Sequence, residues 1–156
     1  MNIKKVLIAS DHAGFDSKEA VKKTLEEMGV QYEDLGTASL DSVDYPDYAK
    51  RVARRVAGGE AERGILLCGS GIGMEIAANK INGIRAALAW NEETAELARR
   101  HNDANVVAIG ARTTSRETIV RIIRAFLITD FEGGRHQRRI EMINKLEEES
   151  GSHKTK

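Results

Sequence analysis

The chain has one cysteine, one proline and no surplus of charge, and these shortages exclude whole classes of protein. A single cysteine, Cys68, in 156 residues leaves no internal disulfide and no CxxC or zinc-ribbon arrangement. Lysine plus arginine (24) equals aspartate plus glutamate (24), so no whole-molecule field draws the chain to nucleic acid or an anionic membrane. No apolar run approaches the ~20 residues of a membrane helix. The opening Met1-Asn2-Ile3-Lys4-Lys5 leads into a strand without the apolar segment of a secretory signal, and the expected place is the cytoplasm. Repeats and low-complexity stretches are lacking as well. What is present, 41% hydrophobic and 31% charged residues, is the composition of an ordinary globular protein. The length suits one domain of about 100–200 residues, expected over 1–149 with a disordered tail over 150–156.

Short apolar runs alternate with helical patterns. Val6-Leu7-Ile8-Ala9, Gln31–Leu35, Gly64–Cys68, Ala86–Ala89 and Val106–Ile109 read as strands. Helices are expected over Asp16–Met28, from Asp44-Tyr45-Pro46 to Ala57, from about Met74, over Glu92–Arg100, from Ser115 to Ile128 and over Arg135–Glu149. Gly29 and Gly58-Gly59 stop two of them, and Asp44 is a candidate cap ahead of the only proline. Strict alternation predicts an α/β fold: a three-layer α/β/α sandwich around a five-stranded parallel, Rossmann-like sheet with an extra C-terminal helix. In a flavodoxin-like strand order, ligands bind where the order reverses, between strands one and three. The loops that follow those strands are Ser10–Gly14 and Gly69–Gly73, one polar and one rich in glycine.

The stretch Cys68-Gly69-Ser70-Gly71-Ile72-Gly73 carries the chemistry. Glycine lets backbone approach a ligand, and the free N–H groups of a starting helix point at an anion. The spacing fits neither a P-loop nor a dinucleotide fingerprint. A lone cysteine is more often a small buried hydrophobe, but a strand end beside a helix start is where a thiolate is stabilised. His12 and His101 read singly as caps or surface residues. His136, in the basic run Arg135-His136-Gln137-Arg138-Arg139, reads as a solvated helix face. Arg135 and Arg139, four apart, share one face and suit a phosphate.

Seven segments together resemble the type B ribose-5-phosphate isomerases, a family that includes galactose-6-phosphate isomerase subunits. They are Ser10–Gly14, Asp44–Pro46, Cys68–Gly73, Ile76–Lys80, Gly83–Ala86, His101–Asn105 and Glu132–Arg139. The resemblance implies aldose–ketose isomerisation of a sugar phosphate with no metal and no organic cofactor. It also implies a homodimer, or a tetramer built from it, with shared sites and neither nucleic acid nor membrane as partner. Carried over, Cys68 matches the base that moves a proton between C1 and C2, and Ser70 a hydroxyl residue at the reacting oxygens. The amides of Gly69, Gly71, Ile72 and Gly73 match the enediolate cradle, and His101 the residue that opens the furanose ring. Asp11 and Asn102 match sugar-binding positions, Tyr45 lies where it shapes the pocket, and His12, Arg112, Arg135 and Arg139 match phosphate binders. One branch of the family replaces the cysteine by a glutamate after the glycine loop. Here Met74 stands at that place, and Glu75 reads as helix surface or second-rank support.

His101 follows a helix and precedes a strand, so it belongs at the amino end of the sheet, whereas Cys68 belongs at the carboxyl end. We therefore expect His101 and Asn102 to complete a partner's site. Ile140, Ile143 and Leu146 form an apolar edge for a second subunit or for the chain's own core. Rival substrates are galactose 6-phosphate, allose 6-phosphate and a tetrulose phosphate. The rival functions of other classes are a non-catalytic sugar-phosphate-binding regulator and a nucleotide-binding flavodoxin-like module.

Overall fold

The computed structural model describes residues 3–152. Its elements run β1 (Lys5–Ser10), α1 (Phe15–Glu27), β2 (Gln31–Asp34), α2 (Tyr45–Ala57), β3 (Arg63–Cys68), α3 (Ile72–Ala78), β4 (Ala86–Leu88), α4 (Glu92–Asn102), β5 (Val106–Gly110), α5 (Arg116–Ile128) and α6 (Arg135–Ser152). The five strands form one parallel sheet in the order β2-β1-β3-β5-β4. As in a flavodoxin-like order, the reversal falls between β1 and β3. The last two strands are exchanged relative to that order. Burial gives the reason. Every residue of β5 is buried, as a strand covered on both faces must be, whereas the three residues of β4 are only partly buried and suit an edge.

Two apolar clusters sandwich the sheet. On one face α2 and α3 pack on Leu7, Ala9, Leu66 and Ala108. The buried residues of α2, Ala49, Val52, Ala53 and Val56, follow helical spacing. On the other face α1, α4 and α5 cover Val6, Ile8, Ile65, Leu67, Val107 and Ile109. Each fully buried Leu, Ile, Val or Phe is worth about 1.5–3 kcal/mol of transfer free energy, so both faces hold the sheet.

Two local expectations change. Asp44 occupies the N-cap of α2, but its side chain makes no capping hydrogen bond; Ser115 does cap α5, accepting from Thr118 N–H. Helix α6 runs on to Ser152, three residues into the stretch expected to be a tail, and residues 153–156 lie outside the described residues. Ile140 of α6 is buried, while Ile143 and Leu146 stay exposed at 41% and 59%. The apolar edge of this helix is thus divided between core and surface.

Candidate active site

The carboxyl ends of β1 and β3 bring two loops together. Asp11 N–H donates to Leu67 O at 3.1 Å, and a Cβ on Gly14 would stand 2.5 Å from that same carbonyl oxygen. Only glycine lets the first loop lie so close to β3. Asp11 is buried, and its Oδ1 accepts from Gly14 N–H at 3.1 Å, which leaves Oδ2 uncommitted among the described residues. His12 Nδ1 accepts from Val43 N–H at 3.2 Å. An imidazole accepting at Nδ1 carries its proton on Nε2, a donor suited to an anionic oxygen.

After β3 the chain turns sharply. Gly71 has φ +78°, and a Cβ there would meet Leu88 at 2.6 Å and the Ile109 backbone at 2.8 Å. That turn aims the Gly71 N–H back at the strand, where it donates to Cys68 Sγ at 3.2 Å. Ser70, exposed, accepts from Ile72 N–H at 3.3 Å. Arg112 N–H donates to Gly69 O, and the Arg112 side chain lies over Gly69, where a Cβ would stand 3.2 Å from its Nη1. The Tyr45 ring lies against Gly73, 2.5 Å from a Cβ placed there. The thiol itself is covered: Cys68 is 4% exposed and is a member of the apolar cluster that holds Leu66 and Met74. Ser70 and Arg112, by contrast, are exposed. Cys68, Ser70, Gly69, Gly71, Ile72, Gly73, Asp11, His12, Tyr45 and Arg112 therefore gather at one end of the sheet.

His101, Asn102, Arg135 and Arg139 do not join them. His101 and Asn102 form the last turn of α4. Asn105, three residues on, accepts from Gly64 N–H at the start of β3, and four strand residues of about 3.3 Å each separate that level from Cys68. The end of α4 is held hard. Asp103 adopts a left-handed conformation, φ +44°, with its carboxylate between Arg99 Nη1 at 2.8 Å and Arg85 Nη2 at 3.2 Å. Arg85 also donates to the carbonyls of Asn102 and Asp103.

His136, expected on a solvated face, is 6% exposed and stacks on His101 with ring centroids 4.3 Å apart. Burial first, then His101 and Arg135, hold its imidazole below the usual histidine range. Arg135 and Arg139 flank it, exposed. Its neighbour on the same helix face, buried Ile140, was the available signal. Lys18 was missed for a similar reason. It stands in register with Val21 and Leu25 on the apolar face of α1, 1% exposed, and binds Asp34 Oδ1 at 2.6 Å and Thr37 O. Glu75 is occupied too, accepting from Leu88 N–H at 3.0 Å, and Met74 is fully buried.

Residues 6–143 match the sequence family described as Ribose/Galactose Isomerase. The chain belongs to that family. Within it, the chain is similar to ribose-5-phosphate isomerase B of Escherichia coli, 47% identical over 146 residues, covering 94% of this chain and 98% of that protein. Two solved structures are also similar. The type B ribose 5-phosphate isomerase of Trypanosoma brucei is 51% identical, with TM-score 0.89 and 92% and 98% of the two chains covered. Ribose-5-phosphate isomerase B of Mycoplasma genitalium, solved with bound ribulose-5-phosphate, is 42% identical, with TM-score 0.90 and 93% and 97% covered. Family members thus share this fold from end to end, and the chain is an isomerase of the type B kind.

Proposed function

We propose that the chain interconverts ribose 5-phosphate and ribulose 5-phosphate by proton transfer through an enediolate, with Cys68 as the base. The observation that carries this reading is the Gly71 N–H on Cys68 Sγ at 3.2 Å, inside a glycine-rich loop at the reversal of strand order. The thiolate takes the proton from C2 of the open-chain aldose, and the electron pair moves onto O1. The O2 hydroxyl proton passes to O1, with the Ser70 hydroxyl beside both oxygens, the pair left on O2 re-forms a carbonyl as C1 takes the proton back from the same sulfur, and the ketose leaves. One base serves both carbons because they are adjacent. The amides of Gly69 and Gly73 serve the charge that develops on O1 and O2, joined by those of Gly71 and Ile72 as they turn from Cys68 Sγ and Ser70 Oγ to the substrate. One such preorganised donor is worth about 3 kcal/mol of barrier.

Ribose 5-phosphate exists mainly as a closed furanose, so an acid–base group must open it, and histidine is matched to that task near neutrality. His101 has this role. Because it lies at the opposite end of its own sheet, the working unit is a homodimer in which His101 and Asn102 serve the partner's Cys68 loop. Arg112 and His12 Nε2 hold the phosphate from one chain, and Arg135 and Arg139, beside His101 on the same side, hold it from the other. The test is an isomerisation assay of the purified chain across four-, five- and six-carbon aldose and ketose phosphates. Highest kcat/KM with ribose 5-phosphate supports the reading. Preference for galactose, allose or tetrulose phosphates would reassign the substrate, and no turnover of any would leave a binding protein.

A further inference from the structure

The Glu132-Gly133-Gly134 link between α5 and α6 does more than join two helices. Gly133 and Gly134 have φ +65° and +56°, and this double left-handed turn swings the start of α6 against the end of α4. Glu132 N–H donates to Arg100 O at 3.1 Å, which fixes the Glu132 backbone beside the residue that precedes His101. His136 Nε2 lies 3.7 Å from Glu132 Oε2, and the His136 ring lies on the His101 ring, with 11° between their planes. One nitrogen from each histidine and one carboxylate oxygen all fall within 4.8 Å of one another.

We propose that His101, Glu132 and His136 form a binding site for a borderline-soft divalent transition metal such as Zn2+, and that the ion inhibits the enzyme reversibly by sequestering His101.

Two imidazoles and one carboxylate are a recurrent protein donor set for zinc, with the fourth position left to solvent. Bonds of about 2.0–2.1 Å in a tetrahedron require ligand atoms roughly 3.4 Å apart, so the present cluster closes by about 1.4 Å. Glu132, 51% exposed on its side chain and mounted on a glycine hinge, supplies part of that movement, and the half-buried His101 ring supplies the rest by turning out of its 11° stack so that both in-plane lone pairs meet at one ion. Nitrogen donors favour zinc and its neighbours in the transition series over Mg2+ and Ca2+, which seek oxygen cages. The site is not a cofactor site for the reaction proposed above, since its ion occupies a nitrogen that ring opening needs.

The functional consequence rests on the assignment of His101 as the ring opener. Ribulose 5-phosphate cannot close a furanose ring, because its 5-oxygen is esterified. An ion on His101 therefore slows conversion of ribose 5-phosphate more than the reverse reaction.

The experiment is titration of the full chain with Co2+, read by visible absorption, and with Zn2+, read by calorimetry. Expected is a tetrahedral cobalt spectrum, displaced by Zn2+ and untouched by excess Mg2+. Affinity should fall more than about tenfold in Glu132→Gln and in His136→Gln, with circular dichroism reporting that both variants fold. It should be unchanged in Cys68→Ala. Absence of binding, binding insensitive to both substitutions, or binding lost in Cys68→Ala would overturn the site. In parallel, Zn2+ at saturating concentration should slow ribose 5-phosphate turnover by wild type but not by Glu132→Gln, and a chelator should restore it. An enzyme that holds Zn2+ at this site yet opens and isomerises ribose 5-phosphate at full rate would keep the metal site and remove His101 from ring opening.

Discussion

A single hydrogen bond joins Gly71 to Cys68, and the proposed chemistry rests on it. The left-handed turn at Gly71 directs an amide at sulfur, and in the proposed reaction that sulfur carries the proton between adjacent carbons. Cys68→Ala is expected to cut kcat at least ~10³-fold, within the usual range for loss of a positioned base, while leaving the affinity for a non-reacting sugar phosphate within about threefold of wild type. Turnover assays and calorimetry separate the two effects, and unimpaired turnover would remove Cys68 as base. This cluster was readable in advance because its residues lie within two short loops. His136 was not. A charged run describes a helix surface only if nothing is packed on it, and here the ring of His101 is.

Among the elements, the end of α4 has the tightest restraint. Asp103 combines a backbone conformation unusual for a residue with a Cβ and a carboxylate shared by Arg85 and nearly buried Arg99. These pairs fix where His101 and Asn102 stand. Asp103→Ala loses both ion pairs and adds the left-handed penalty, whereas Asp103→Gly loses the pairs only. The alanine variant should therefore be less stable than the glycine variant by about 1 kcal/mol, measured by denaturant midpoint. If His101 opens the ring as proposed, both should lower kcat for ribose 5-phosphate roughly tenfold or more, since misplacement of a catalytic group is costly. Normal kcat in both would mean the restraint has no catalytic role. The motif His101–Asn105 was visible in sequence, but the arginines that hold it come from 18 residues earlier and from the preceding helical turn.

At the scale of the whole molecule, α6 and the β4 edge leave apolar surface uncovered. A groove of about 890 Å³ runs between α3, β4, α4 and α6, lined in part by Trp90, Leu97, Ile143 and Leu146. If sites are shared, Leu146→Glu should yield a folded monomer by light scattering with little isomerase activity; a fully active monomer would refute sharing. Acid acts elsewhere. Arg55, by paired hydrogen bonds, and then Lys5 draw the Glu33 carboxyl down to about 2. Burial pushes Asp34 up, but Lys18, the Gly36 amide and Lys22 outweigh it and hold it below its usual value. As pH falls, the unfolded chain takes up these protons first, so the stabilisation is intact above about pH 4.5 and is lost toward pH 2. Denaturant midpoints across that window should decline with acid, and less so in Glu33→Gln; parallel slopes would exclude Glu33 from the effect.

The sequence by itself determined the alternation of strands and helices, the reversal of strand order between β1 and β3, and the two loops that meet there. Those features follow from local periodicity, from glycine at sharp turns and from topology. Tertiary structure alone decided that β5 lies inside β4, that Lys18 is buried against Asp34, and that His136 is buried against the ring of His101. Such choices depend on which surface each element finds to cover it. That is a property of the packed whole, and residues distant along the chain encode it only jointly.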